Sequence, residues 1–463
     1  MKKILLTIAI AALASTQLFA QIGTRFPSER KVVIDPVTGT ELIFLTSTEG
    51  KGDSKIYQTH NQWTSDGEWL IFRSRRVPGE AMAVNEETGV MVQVTEGGYA
   101  GMLNVSRKEM KLYVCRPDMT PEQKAEQEAL RAQGQTKLPQ YGMKIVEIDL
   151  AKVFADSEAG TMKDVSAYER VCGVTPVEMG AGSNMALDGS EQVAYFNIST
   201  EYASKFPYPA GVKFPKIDAN TRGGRVSGIA KMDLNTGKCE HVVTVPFSVG
   251  HIQGNPWQPG EVMFCWETGG KAPIRTWMVN ADGSNLRPVY RETAHDWVTH
   301  EAVITKDEMA IAILEHREIS EDQKPVDRSG DRLNPGQEDR WGYTGTREYA
   351  GGLGIVNLRT REFTMAGQIP FGSGFWHVAG SEDGHWVAGD DFARNIYLID
   401  RHTCERILLT TGHKPTAGDH PHPTFKPDGT AIEIQSAMLS EDGRSLNICV
   451  IKMPQELLDR YKK

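Results

Sequence analysis

The feature that most constrains this chain is a polar turn that recurs ahead of a short apolar strand. Thr64-Ser65-Asp66-Gly67 stands before Trp69-Leu70-Ile71-Phe72, and Asp188-Gly189 stands before Val193-Ala194-Tyr195-Phe196. Asp383-Gly384 precedes Trp386-Val387-Ala388, and Asp428-Gly429 precedes Ala431-Ile432-Glu433-Ile434. Looser copies stand at Arg107-Lys108-Glu109, Gln258-Pro259-Gly260 and Lys306-Asp307-Glu308. Asp-Gly suits a tight hairpin because both residues tolerate positive φ. A strand, a turn and another strand follow each copy, as in Met232-Asp233-Leu234-Asn235-Thr236-Gly237 and Val279-Asn280-Ala281-Asp282-Gly283. Two hairpins make a four-stranded antiparallel sheet. Seven first hairpins therefore predict an all-β chain folded as a seven-bladed β-propeller. The segment from Val32 to Phe44 reads as a second hairpin without a first. It is expected to complete the last sheet and close the ring.

The repeat makes residues 21–463 a single domain, although 463 residues would otherwise suggest about three. Thr120 to Gly134 predicts a helical insertion: Thr120 caps it, Pro121 suits its first turn and Gly134 ends it. His316 to Thr346 is a charged insertion, either a solvated loop or a wall of the propeller mouth. Residues 1–20 have the form of a signal peptide. Lys2 and Lys3 precede an apolar run from Ile4 to Ala14, and Leu18-Phe19-Ala20 offers a cleavage site before Gln21. The expected location is the periplasm. No later stretch is apolar enough to insert in a membrane. The six cysteines are scattered and read as buried free thiols. Net charge is −9, with 60 acidic against 51 basic residues and no basic cluster, which argues against nucleic acid as a partner. A polyanionic substrate would have to meet local cations.

The residues with chemistry are histidines. His420-Pro421-His422-Pro423 runs into the inner strand ahead of Asp428-Gly429. In an extended chain, residues two apart point to one side, so both imidazoles can face one metal ion. His377, His300 and His251 occupy the matching place ahead of their own turns. In a propeller those strand starts converge on the central channel. Convergent imidazoles suit a divalent transition metal such as Mn, Fe, Zn or Ni. His295 and His413 are further candidates near a substrate, whereas His60 and His385 read as structural. Trp257, Trp266, Trp297 and Trp376 are either sheet packing or stacking surfaces for sugar rings.

From about Tyr57 onward the chain resembles oligogalacturonate lyase, polysaccharide lyase family 22. The resemblance is densest in Gly250-His251, Arg275 to Asn285, Thr299-His300-Glu301, Val387-Ala388-Gly389-Asp390 and His420-Pro421-His422-Pro423. It implies a seven-bladed propeller that binds Mn(II) through three histidines and a glutamine and breaks uronide links by β-elimination. Carried over by motif, His377, His420 and His422 would hold the metal, His300 would be the Brønsted base, and Arg275 would stand beside it. His251, His295 and His413 would lie on the substrate side. The resemblance places the glutamine at a position that is Ala417 here. Asp419, His413 or a water is left to fill it. The implied function is a metal-dependent lyase acting on short uronate oligosaccharides, with an acidic oligosaccharide as partner. The alternative is a non-catalytic exported propeller of TolB-like kind, acting as a binding or scaffold module. A propeller attached to a serine peptidase is a poor reading, since the chain has no G-x-S-x-G.

Overall fold

The computed structural model describes residues 21–48, 50, 52–136, 138–215, 223–267, 272–292, 296–314, 351–368 and 374–462. The expected leader, His295 and the 316–346 insertion lie outside the described residues. The described strands form seven antiparallel sheets arranged as the blades of a β-propeller. Each of the seven turns read from the sequence falls inside a different blade.

The ring is closed by both chain ends. In the last blade, Thr424–Phe425, Ala431–Ser436 and Asn447–Lys452 come from the C-terminal side, and Glu41–Phe44 and Lys31–Ile34 complete the sheet. Leu42, Ile43 and Phe44 pair with Ile451, Val450 and Cys449. This is the expected closure with one strand more than two hairpins supply. A further strand, Arg25–Phe26, pairs with Met91–Gln93 on the outer edge of the first blade. The N-terminal segment thus joins two neighbouring blades. Ile43, Leu45, Trp63, Leu70, Phe72 and Val450 share one buried cluster across that junction. Burying each such side chain contributes about 1.5–3 kcal/mol.

The turns differ from the expected hairpin in detail. Gly67 N donates to Thr64 O at 2.8 Å, and Gly67 takes positive φ (+73°). Asp66 does not. Its carboxylate instead accepts from Thr64 Oγ1 and from Glu68 N. Ser381, Asp383 and Gly384 repeat the device. The Asp is there for its side-chain acceptor, and the Gly for its backbone.

The predicted insertion is a helix at Pro121–Ala132, with a capping box between Thr120 and Gln123 and no buried residue. A second helix, Leu150–Ala159, was not expected. Asp149 caps it, and it buries Leu150, Val153 and Phe154 on one face. Phe154 stacks on Trp69 at 4.2 Å, so the helix braces the first two blades. All six cysteines are free; Cys404 is exposed and Cys239 half-buried, while the other four are buried.

Candidate active site

Five blades send a side chain from the start of the inner strand into one cluster. His251, His300, His377, His420 and His422 come from four of them, and Tyr57 comes from the first blade. Tyr57 stands among the histidines, with ring centroids 4.8 Å from His251, 5.2 Å from His422, 6.1 Å from His377 and 6.5 Å from His300. His377 and His422 stack at 3.7 Å, and His300 lies 4.2 Å from His377. The backbone prepares this convergence. The inner strands lose register between Gly250 and Gln253, between Val298 and His300, and between Phe375 and His377. Bulges of this kind bend a strand and re-aim its side chains. His251 and His422 also sit in the left-handed region, at φ +44° and +54°. That conformation is uncommon for residues other than glycine and costs of order 1–3 kcal/mol.

One side of the cluster is held by Asp390. It is fully buried, with Oδ2 3.1 Å from His377 Nδ1 and 3.3 Å from His420 Nδ1. Burial disfavours its charge, but His377 and His420 outweigh that and hold the carboxyl well below its ordinary range. Burial and the neighbouring His422 push His377 down to about 3, against the pull of Asp390. The ring is therefore neutral, with Nδ1 toward the Asp390 carboxylate. His422 Nδ1 faces Gln58 Oε1 at 2.8 Å, while its Nε2 is buried without a hydrogen bond. A carboxylate beside His377 and an amide beside His422 are arranged as proteins orient metal-binding histidines. The donor set fits a divalent transition ion.

The other side is held by Glu301, also fully buried. Its Oε2 accepts from Arg275 Nε at 2.8 Å and its Oε1 faces His251 Nδ1 at 2.9 Å. His300 lies between the two sides. Its Nδ1 is buried without a hydrogen-bond partner. Burial, then the neighbouring His377 and Arg275, drive its pKa well below the ordinary value, so the ring is neutral. His251, Cys265 and Glu267 also bring ligand-type atoms together. Arg275 Nη2 stands 3.2 Å from His251 Nδ1 and 3.9 Å from Glu267, which sets a positive charge against a second cation there.

No protein-family model matches the chain, and no curated protein matches it. Solved structures do. One is an oligogalacturonate lyase in complex with manganese, 16% identical, with TM-score 0.66 over 95% of this chain and 100% of that one. Another is an oligogalacturonate lyase from Vibrio parahaemolyticus, 17% identical, with TM-score 0.65 over 94% of this chain and 100% of that one. The fold is that of the oligogalacturonate lyases.

Against the oligogalacturonate lyase motifs, the structure brings His251, Arg275, His300, His377, His420 and His422 into one place. It does not bring His413 there: that ring is fully buried, with Nδ1 2.7 Å from Ser436 Oγ. Ala417 packs against Ala437 and Leu446, which explains an apolar residue at that position. The four tryptophans also separate. Trp266 is buried sheet packing, and Trp257 lies under Arg107 at the opposite end of the channel. Trp376 is half-buried and its ring meets His300 edge-on at 4.6 Å; Trp297 lies 6.5 Å from Trp376.

Sequence reasoning passed over Tyr57, Gln58 and Gln435. Tyr57-Gln58 precedes the Asp66-Gly67 turn much as His377 precedes Asp383-Gly384. A search by strand position rather than for histidine would have found it. Lys55 and Glu433, a buried pair 3.7 Å apart between the first and last blades, gave no sequence signal.

Proposed function

We propose that this chain is a metal-dependent lyase that cleaves short uronate oligosaccharides, oligogalacturonides first among them, by β-elimination. The observation that carries the reading is the convergence of five histidines on one cluster, with Arg275–Glu301 on one side and Asp390 on the other. A scaffold propeller has no need of such a cluster, and buried imidazoles are a poor substitute for core packing.

His377, His420 and His422 would hold the ion. When bound, a divalent ion such as Mn(II) supplies Lewis-acid stabilisation of negative charge on a substrate carboxylate. The chain's own residues do the rest. Arg275, fixed through Nε by Glu301, has further N–H donors for a uronate carboxylate. His300 is neutral and takes the proton from C5, which is acidic because it is α to that carboxylate. The C5–H electron pair becomes the C4–C5 double bond. The C4–O bond breaks, and its electrons leave with the departing sugar oxygen, which takes a proton from water and ends as a hydroxyl, while His300 returns its proton to solvent. The product carries an unsaturated uronosyl end. Trp376, beside His300, offers an aromatic face to a sugar ring.

We further propose that the protein works in the periplasm after loss of residues 1–20. N-terminal sequencing of protein from its host should begin at or near Gln21.

The decisive assay follows ultraviolet absorbance of the unsaturated product. A panel of oligouronides is incubated with the protein, with and without added Mn(II). Product from oligogalacturonides, abolished by chelation and restored by the ion, is expected. No product from any uronide with metal present would overturn the lyase reading and favour a binding module.

A further inference from the structure

Resting on the uronide reading above, we propose that an open cleft beside the histidine cluster holds a third uronate unit, beyond the two joined by the scissile link, through Arg75 and Arg444. The cleft measures about 520 Å³ and lies between the first and last blades. That is within the size range of small-ligand sites. Asp419 lines it, and Asp419 Oδ1 lies 3.1 Å from His422 Nε2, so the cleft abuts the cluster. It opens at the end where the inner strands begin. Arg75 follows the strand Trp69–Arg73, whose end pairs with Ser54, and Arg444 sits between Ala431–Ser436 and Asn447–Lys452. Backbone hydrogen bonds hold its walls: Asp53 N donates to Leu446 O at 3.0 Å, and Gly418 N donates to Arg444 O at 3.0 Å.

The acids of the cleft are engaged and its two arginines are not. Asp53 is fully buried; Ser74 Oγ donates to it at 2.7 Å and Arg76 pairs with it and with Glu29. Asp419 accepts from His420 N at 2.8 Å and from Gln435 Nε2 at 3.2 Å. Asp442 accepts from Arg444 N at 2.7 Å, from Ser445 N at 2.8 Å and from Ser445 Oγ at 2.7 Å. Arg75 and Arg444 are exposed, and neither guanidinium has an ion pair or hydrogen bond among the described residues.

A guanidinium offers five N–H donors in a planar fork that matches a carboxylate. An oligouronide carries one carboxylate on every sugar, so a chain seated at the cluster by one of them has others to place. Arg275 is buried and fixed by Glu301, which suits it to the reacting unit. Arg75 and Arg444 stand on the rim with their donors unused, which suits them to a unit further along. The cleft would then set a preference for chain length, apart from the chemistry at the cluster.

The test is calorimetric titration of the full mature protein with trigalacturonate and with digalacturonate, in Mn(II) and with His300→Ala as the parent so that bound sugar is not cleaved. The trimer should bind more tightly than the dimer. Arg75→Gln and Arg444→Gln should each weaken trimer binding about 10-fold, the loss expected for a charge-assisted hydrogen bond, and the double variant should bind the two sugars alike. Arg444→Lys keeps the charge without the fork and should fall between. Both side chains are exposed, so the variants should melt as the parent does. A trimer no tighter than the dimer, trimer binding unchanged in the double variant, or an equal loss for both sugars overturns the third-unit subsite. The lyase reading is tested apart from this, by product absorbance with His300 intact. A protein that forms no product yet binds the trimer through Arg75 and Arg444 keeps the subsite while the lyase reading fails.

Discussion

The two ends of the inner strands are built to different rules. At the end where each strand turns back, polar groups are paired. Asp188 Oδ1 accepts from Tyr195 OH at 2.8 Å and from Gly260 N at 2.6 Å, and its Oδ2 accepts from Ser190 N. Asn255 Nδ2 donates to Glu261 Oε2 and to Lys306 O, linking two blades. At the end where the strands begin, His300 Nδ1, His422 Nε2, Thr299 Oγ1 and Tyr57 OH are buried with no hydrogen-bond partner. Each such atom costs about 1–3 kcal/mol. The same strands therefore stabilise the ring at one end and give up stability at the other. Between the two ends runs the channel, which continues past Gln58, Gln253 and Thr424 as a cavity of about 310 Å³. Unpaired polar atoms gathered around converging imidazoles are what a site for a ligand requires.

The sharpest test exchanges the two losses. His300→Ala should lower kcat by about 10²–10⁴, the usual worth of a positioned general base, without loss of stability. Asp188→Ala should do the reverse. It leaves a buried Tyr195 hydroxyl and the Gly260 N–H unpaired, so unfolding in urea should show a loss of about 2–4 kcal/mol. Turnover per folded molecule should not change. If both variants lose activity and stability alike, the two ends are not distinct.

His60 gives a smaller effect, seen through pH. Its Nε2 donates to Met185 O at 3.0 Å and its Nδ1 accepts from Thr59 Oγ1, so the paired ring is neutral. Burial lowers its pKa to about 4, and burial does the same to His413. The unfolded chain protonates these rings near 6.5, while the folded chain resists until about 4. Their contribution to stability is thus present above pH 6.5 and is lost as pH falls from there toward 4. Denaturant unfolding across that window should show the loss. His60→Gln should reduce the proton uptake on unfolding by about one. An unchanged slope would mean that His60 is already charged in the folded protein.

The fold was legible because its signal is repeated. One Asp-Gly turn says little, but seven turns in register with alternating strands leave few architectures. Closure was legible from a hairpin that lacked a partner. The short strand at Arg25–Phe26 was not, because two residues carry no period. The helix at Leu150–Ala159 was passed over because the repeat predicts a plain turn there, although Leu150, Val153 and Phe154 have helical spacing. In the cluster, the histidines could be read because residue type and strand position agree. Asp390, Glu301 and Gln435 act by where their side chains end in space, on neighbours far away in the chain. Gln435 meets Lys55 and His420 only after the ring has closed. No spacing rule reaches that far.

The smallest expected effects are the most direct probe, because the two ends should differ in sign. Ser381 lies at the turn end. Its hydroxyl donates to Asp383 and accepts from Trp386 N at 3.0 Å. Ser381→Ala removes a made hydrogen bond and leaves the buried Trp386 N–H unpaired, so it should cost about 1 kcal/mol. Thr299 lies at the starting end, in the bulge beside His300, with its hydroxyl buried and unpaired. Thr299→Val keeps the branched shape and removes an atom that has no partner. Its desolvation cost disappears with it, so the variant should be as stable as wild type or up to about 1 kcal/mol more stable. Both are read as shifts in the urea midpoint at constant slope. A loss of stability in Thr299→Val equal to that in Ser381→Ala would mean that the hydroxyl is satisfied after all, and that the starting end is paired like the turn end.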